Sequence, residues 1–297
     1  MHRIIIPKKF IFLLFLFINF TVVAQFTPEP IDECQRSMNR GAVEYKKGNY
    51  IEALQYFIKA QSLVDKNNYK KLFNIKNIMG ICYGYLSNYG EALNVYSEAM
   101  EIAEEHHLLE DQVNVMCNIG ILYSLEKDYK SAITIYKEAF KIANAINSDY
   151  SKTLLAVNIS DVYNHLGNYK QAQFYLKSVE NLKKEKQFEQ LYNINYAESL
   201  LIQGKVNGAH EIMRQLEGKI PANLACYICV VELLSKIFDA KNNNAVAISY
   251  AQKGFDNATD MSDKLKLYNQ LSSLYSKKRE YDKALKYKDR FDQQGAF

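Results

Sequence analysis

Five carboxamide side chains recur at one position of this chain: Asn39, Asn118, Asn158, Asn195 and Gln270 each stand two residues ahead of a Gly, Ser or Ala. A carboxamide carries both hydrogen-bond donors and an acceptor. Repeated along a surface, such groups could pair with the N–H and C=O of an extended peptide, rung after rung. Asn118, Asn158 and Asn195 are the leading candidates because they fall in successive units, whereas Ile78 and Leu233 hold the same position elsewhere. Ser124, Asp161, Asn164, His165 and Glu198 lie nearby on the same stretches, a mixture with no dominant charge. A plainer reading stays open beside this one: Asn is frequent throughout the chain.

The other chemistry-bearing residues point away from catalysis. Glu104-Glu105-His106-His107 has metal-ligating types but reads as the polar end of a helix. Cys226 and Cys229 have the spacing of a redox pair or half a zinc site. A second ligand pair and a strand-to-helix setting are both missing, so two packing cysteines on a helix is the simpler reading. His165 and His210 stand in different units without a paired nucleophile, and no glycine-rich phosphate loop is present. The chain is therefore expected to be non-catalytic, without a metal or cofactor.

Helices must position these groups. The stretch 117–140, CNIGILYSLEKDYKSAITIYKEAF, splits into two amphipathic halves around Lys127-Asp128-Tyr129. The first half carries Gly120 and Tyr123; the second carries Ala132, Tyr136 and Ala139. Gly80, Tyr83, Tyr89, Ala92, Tyr96 and Ala99 repeat the pattern upstream, and Gly41, Gly48, Tyr50, Ala53, Phe57 and Ala60 repeat it again. A small residue lets the partner helix approach closely, and the aromatic rings fill the space around that contact. One such pair cannot bury its apolar face alone, so neighbouring pairs must stack.

This signature of Gly, an aromatic three residues on, then Ala, an aromatic four later and Ala three later resembles the tetratricopeptide repeat. The dipeptides Asn49-Tyr50, Asn88-Tyr89, Asp128-Tyr129 and Asn168-Tyr169 fit that family's turn and restart. A period near forty residues, against about thirty-four in the family, implies helices longer by about half a turn to a turn. The resemblance implies an all-α, right-handed superhelical solenoid of antiparallel helix pairs, with seven repeats at 34–72, 73–112, 113–152, 153–189, 190–227, 228–264 and 265–297. Repeat four has Ser160 for Gly, and Leu176 and Val179 for the aromatic and alanine. Repeats five and six are more worn. Repeat seven places Lys288 where others have an apolar residue, which suits a terminal helix facing water.

The resemblance also implies a concave groove lined by first helices, in which members that bind peptides use an asparagine ladder. The basic clamp by which some relatives grip a C-terminal carboxylate is absent, since Met38, Asn77 and Cys117 occupy a key position. The expected function is a non-catalytic scaffold for a protein or peptide segment. The rival is a sensory input module, similar to the periplasmic arrays of membrane-bound regulators but ending at Gly295-Ala296-Phe297 without a membrane helix or output domain. A glycan-binding protein would need exposed groove aromatics, for which Tyr45 and Tyr85 are the candidates.

The ends and the charge complete the reading. Residues 1–9 are basic, 10–24 run almost unbroken apolar, and Val22-Val23-Ala24 offers small residues for cleavage. This is the layout of a secretory signal peptide over 1–24, followed by an extended spacer over 25–33 with Pro28 and Pro30. The mature chain is expected in the periplasm or cell envelope. Removing Arg3, Lys8 and Lys9 takes the formal charge from +4 to +1, since the leader holds no Asp or Glu. So small a surplus argues against nucleic-acid binding, which needs a concentrated positive face.

Overall fold

A computed structural model describes residues 32–182, 185–221, 225–258 and 261–295, and these fold entirely into α-helices and connecting turns. The expected signal peptide and most of the spacer lie outside the described residues. Contacts divide the described chain into two compact units, 32–147 and 148–295. Each is a stack of antiparallel helix pairs, the solenoid arrangement expected from the sequence. Among the described residues no helix is long and apolar enough to cross a membrane.

The first unit holds α1 (Glu33–Lys47), α2 (Tyr50–Leu63), α3 (Tyr69–Tyr85), α4 (Tyr89–Glu105), α5 (Leu109–Leu125) and α6 (Tyr129–Ala145). Helices α1 and α2, α3 and α4, and α5 and α6 pair most closely, with α2 on α3 and α4 on α5 joining the pairs. The glycines explain the closeness. A Cβ built on Gly80 would lie 2.4 Å from Tyr96 Cε1, and one on Gly120 would lie 2.3 Å from Tyr136 Cε1. Each ring therefore occupies the volume that a side chain on the facing helix would need. Phe57 meets Gly41 in the same way, and Ala53, Ala92 and Ala132 are fully buried beside these contacts.

The second unit holds α7 (Asp149–His165), α8 (Tyr169–Ser178), α9 (Lys186–Ile202), α10 (Val206–Glu217), α11 (Ala225–Ala240), α12 (Asn244–Asn257), α13 (Met261–Lys277) and α14 (Tyr281–Gly295). Serine replaces glycine here and changes the local solution. Ser235 Oγ donates to Ala247 O at 2.8 Å, and Ser272 Oγ donates to Ala284 O at 2.9 Å, so each hydroxyl is satisfied across its helix pair. Helix α8 has only 10 residues and offers a short wall. Helix α9 packs on α7 as well as on α8.

One turn recurs inside all seven pairs. It passes through a single left-handed residue: Gly48, Ser87, Lys127, Gly167, Gly204, Asn242 or Arg279. The next N–H then reaches back to a carbonyl near the end of the first helix, as in Asp128 N to Tyr123 O at 2.8 Å and Asn168 N to Tyr163 O at 2.8 Å. This is Schellman closure. Side chains of Asp128, Asn168 and Asn243 cap the helices that follow. In α14, Lys288 is exposed and bridges Asp292, while Tyr281 and Leu285 on the same helix are also exposed.

Candidate ligand-binding face of the first helices

The recurrent amides lie deeper than the sequence suggested. Asn39 is exposed and accepts from Gln35 Nε2 at 3.0 Å. Asn118, Asn158 and Asn195 are 0, 2 and 0% exposed, which corrects the expectation of surface rungs open to a ligand. Their partners show a different regularity. Asn118 Nδ2 donates to Asn77 Oδ1 at 2.9 Å, from α5 to α3. Asn195 Nδ2 donates to Val157 O at 2.8 Å and Ser160 Oγ at 3.1 Å, from α9 to α7. Gln270 Nε2 donates to Glu232 O at 3.4 Å, from α13 to α11. Asn118, Asn195 and Gln270 thus each reach back one repeat and join consecutive first helices.

Asn164 returns the contact, donating from α7 to Asn195 O at 2.8 Å. Asp161 is buried, with its Oδ2 3.7 Å from His165 Nε2, and Ser124 is buried with its hydroxyl donating to Gly120 O. His165 and Glu198 reach the surface instead. They line a cavity of about 260 Å³ in the second unit with Ile194 of α9, Cys229, Glu232, Leu233 and Lys236 of α11, and Asp263 and Lys266 of α13. A second cavity of about 360 Å³ shares Glu232, Lys236 and Lys266 and continues along α13 past Asn269, Gln270 and Ser273. Among the described residues, second helices contribute nothing to either lining. Lys236 bridges Glu232 at 2.7 Å, and Lys277 bridges Asp239 of the second cavity at 2.6 Å.

Sequence reasoning missed Glu232, Lys236, Asp263 and Lys266. The offset two residues before each small residue selects the helix-to-helix register. The cavity lining takes Leu233 and Gln270 from that same offset but draws mainly on two others: three before in Ile194, Glu232 and Asn269, and one after in Glu198, Lys236 and Ser273. Those offsets are readable once the small residue is known to face its own pair.

The remaining candidates are structural. Cys226 Sγ lies 3.5 Å from Gln190 Oε1, and burial raises its thiol pKa. Burial pushes the Cys82 thiol up to about 12, which keeps it protonated and unreactive at neutral pH. Among the described residues, all five cysteines are free and no group of His, Cys, Asp and Glu is arranged to hold a metal. His106 stacks on Tyr69 with centroids 3.9 Å apart, and His107 is a left-handed turn residue. Tyr45 is buried and Tyr85 stacks on Tyr50 at 4.3 Å, so neither ring is presented as a glycan platform. His210 Nδ1 sits 3.1 Å from Lys241 Nζ; desolvation, then the Lys241 charge, lowers its pKa.

Comparison with known proteins places these features in context. A tetratricopeptide repeat family model matches residues 34–105, 71–145 and 111–185, which together span just over half of the chain. No curated protein matches the sequence. Among solved structures, a tetratricopeptide repeat protein from Parabacteroides merdae is 16% identical with a TM-score of 0.63, over 89% of this chain and 93% of its own. The apo quorum sensor NprR from B. thuringiensis is 16% identical with a TM-score of 0.71, over 90% and 77%. NprR in complex with its cognate peptide NprX is 13% identical with a TM-score of 0.65, over 89% and 77%. At these identities the likeness is one of fold.

Proposed function

Because the chain belongs to the tetratricopeptide repeat family, we propose that it is a non-catalytic scaffold that holds an extended peptide or protein segment along its first helices. The observation that carries this reading is the strip of two adjoining cavities lined, among the described residues, by α7, α9, α11 and α13 alone, with Glu232, Lys236 and Lys266 common to both. A groove built from side chains on packed helices is largely pre-formed, which limits the ordering cost of binding. The binding of a cognate peptide by NprR, which shares the fold, supports the same use here. The buried amides then serve the scaffold by fixing the spacing of the helices whose outer faces meet the ligand.

Photo-crosslinking tests the proposal. A benzophenone amino acid at exposed Ser273 should yield a discrete adduct in cells, and one at exposed Phe174 on α8 should not. Equal adducts from both positions would sink the groove reading. Export is a second part of the proposal, supported by the basic, apolar and small-residue order of 1–24. Terminal sequencing of envelope material should begin at Gln25. The resemblance to a quorum sensor also supports use of the array as a sensory input module, an alternative that an in-frame apolar span beyond codon 297 would favour.

A further inference from the structure

Helices α1 and α14 each present positions that the matching helices keep covered. In a first helix, the residue two after the small residue faces the preceding pair: Leu122 Cδ2 of α5 lies 3.3 Å from a Cβ built on Gly84 of α3. Cys82, Leu122, Ser199, Ile237 and Leu274 hold this position and are at most 1% exposed. Val43 holds it in α1 and is 50% exposed. In a second helix, the residues three before and one after the buried alanine meet the next first helix. Tyr50 stacks on Tyr85 of α3 at 4.3 Å, and Leu93 shares a cavity wall with Gln112 and Met116 of α5. The same positions in α14 are Tyr281 and Leu285, 65 and 60% exposed, where Tyr89 and Leu54 are 7 and 6% exposed. An array ends most simply on a polar outer face, and neither of these faces is wholly polar.

The charges around the two apolar centres are opposite. Within one turn of Val43 stand exposed Asn39, Arg40, Lys46 and Lys47, with Arg36 two turns back. The matching surroundings of Leu285 are exposed Tyr281, Asp282, Lys288 and Asp289, with Asp292 two turns on. Glu33 bridges Arg36, Glu44 bridges Lys47 and Asp292 bridges Lys288, so Arg40 and Lys46 set the sign of one face and Asp282 and Asp289 that of the other. We infer that these faces bind each other between copies: α14 of one copy packs on α1 of a second, as α2 packs on α3 and α12 on α13 within the chain. This interface is separate from the groove and does not rest on the reading given for it. Charge decides between the ways two copies could meet. Pairing α14 with α14 sets Asp282 and Asp289 against themselves, and pairing α1 with α1 does the same to Arg40 and Lys46; only the head-to-tail contact matches opposite signs. Such a contact is heterologous, so it adds further copies until it closes or is blocked. One helix on another covers little area beside the ~1,200–2,000 Å² of stable complexes, which makes the association weak and reversible.

The test is sedimentation velocity on protein purified from cells expressing the full chain, from about 1 μM to about 1 mM, the range of weak complexes. Wild type should sediment faster as concentration rises. Val43→Glu blocks α1 and Leu285→Glu blocks α14; both sites are exposed, so each variant should keep its melting temperature and stay monomeric. An equimolar mixture of the two should regain a dimer and stop there, because the intact α14 of the first meets the intact α1 of the second. Arg40→Glu/Lys46→Glu and Asp282→Lys/Asp289→Lys should each weaken association about 10-fold or more, and all four changes in one chain should bring it back to within about 3-fold of wild type. A wild type that stays monomeric throughout would overturn the inference. So would association lost in Leu285→Glu but kept in Val43→Glu, the mark of an α14–α14 pair, or a mixture that stays monomeric while wild type associates.

Discussion

Asn195 distinguishes a helix staple from a ligand contact. Its amide is fully buried between α9 and α7, where Nδ2 donates to Val157 O and Ser160 Oγ. Asn195→Ala removes two donated bonds. At a net contribution of about 0.5–1.5 kcal/mol each, the loss is about 1–3 kcal/mol. Neither acceptor is stranded, because Ser160 Oγ itself donates to Val157 O at 2.8 Å, so the upper end of the range is not expected. Asn195→Leu restores volume without a donor and should fall between alanine and wild type. Asn195→Asp keeps the shape but turns a carboxylate oxygen toward a carbonyl, and an uncompensated buried charge costs about 3–5 kcal/mol.

The order of stability should therefore be wild type, leucine, alanine, aspartate. In a unit of this size, each kcal/mol moves the melting temperature by about 2–4 °C. The aspartate variant adds a sign test. Its folded-state carboxyl pKa is raised, so protonation restores a donor toward Val157 O. The deficit should shrink as pH falls toward the unfolded-state value near 4 and grow as pH rises through the folded value. Urea and thermal unfolding at pH 7 and pH 4, followed by far-UV circular dichroism, measure both effects. If Asn195→Ala melts within about 1 °C of wild type yet loses the adduct formed from position 273, the amide is a ligand contact and the staple argument is refuted.

Four smaller predictions follow from the packing. Gly120→Ala forces a Cβ into the Tyr136 ring and should cost about 1–3 kcal/mol despite the gain in helix propensity, with Tyr136→Leu recovering part of the loss in urea denaturation. Lys127 holds a φ of 62°, where the matching residue of the first, fourth and fifth pairs is glycine; Lys127→Gly should raise stability by about 1 kcal/mol in the same assay. Tyr96 Oη is buried without a hydrogen-bond partner, so Tyr96→Phe should be neutral or raise the melting temperature slightly, as the natural Phe57 at that position suggests. The pKa of His210 is lowered in the fold, so its contribution to stability is present above the unfolded value near 6.5 and lost as pH falls through the folded value. An NMR titration should place that midpoint below 6.5, and His210→Gln should flatten the decline.

The fold was legible because its determinants are local and repeated. Gly80 and Gly120 can be found by spacing alone, and the same spacing locates Tyr96 and Tyr136, the rings that make glycine necessary. The turn dipeptides mark the starts of α2, α4, α6 and α8 for an equally local reason: each follows a left-handed residue whose closure is fixed within six residues. The site was less legible because its determinants are relational. Asn195 and Glu198 stand three residues apart on one helix, yet the first faces α7 and is fully buried while the second opens into a cavity. Which of the two is claimed by a neighbour is decided by the packing of α9 on α7, a long-range contact that the local pattern does not contain. Periodicity can locate an amide in each repeat. It cannot say whether the neighbouring helix has already claimed that amide, and in this chain the previous repeat claims Asn118, Asn195 and Gln270 alike. Glu198, Glu232 and Lys236, which line the cavities, stand at neighbouring offsets whose residue types vary from repeat to repeat, so spacing alone did not point to them.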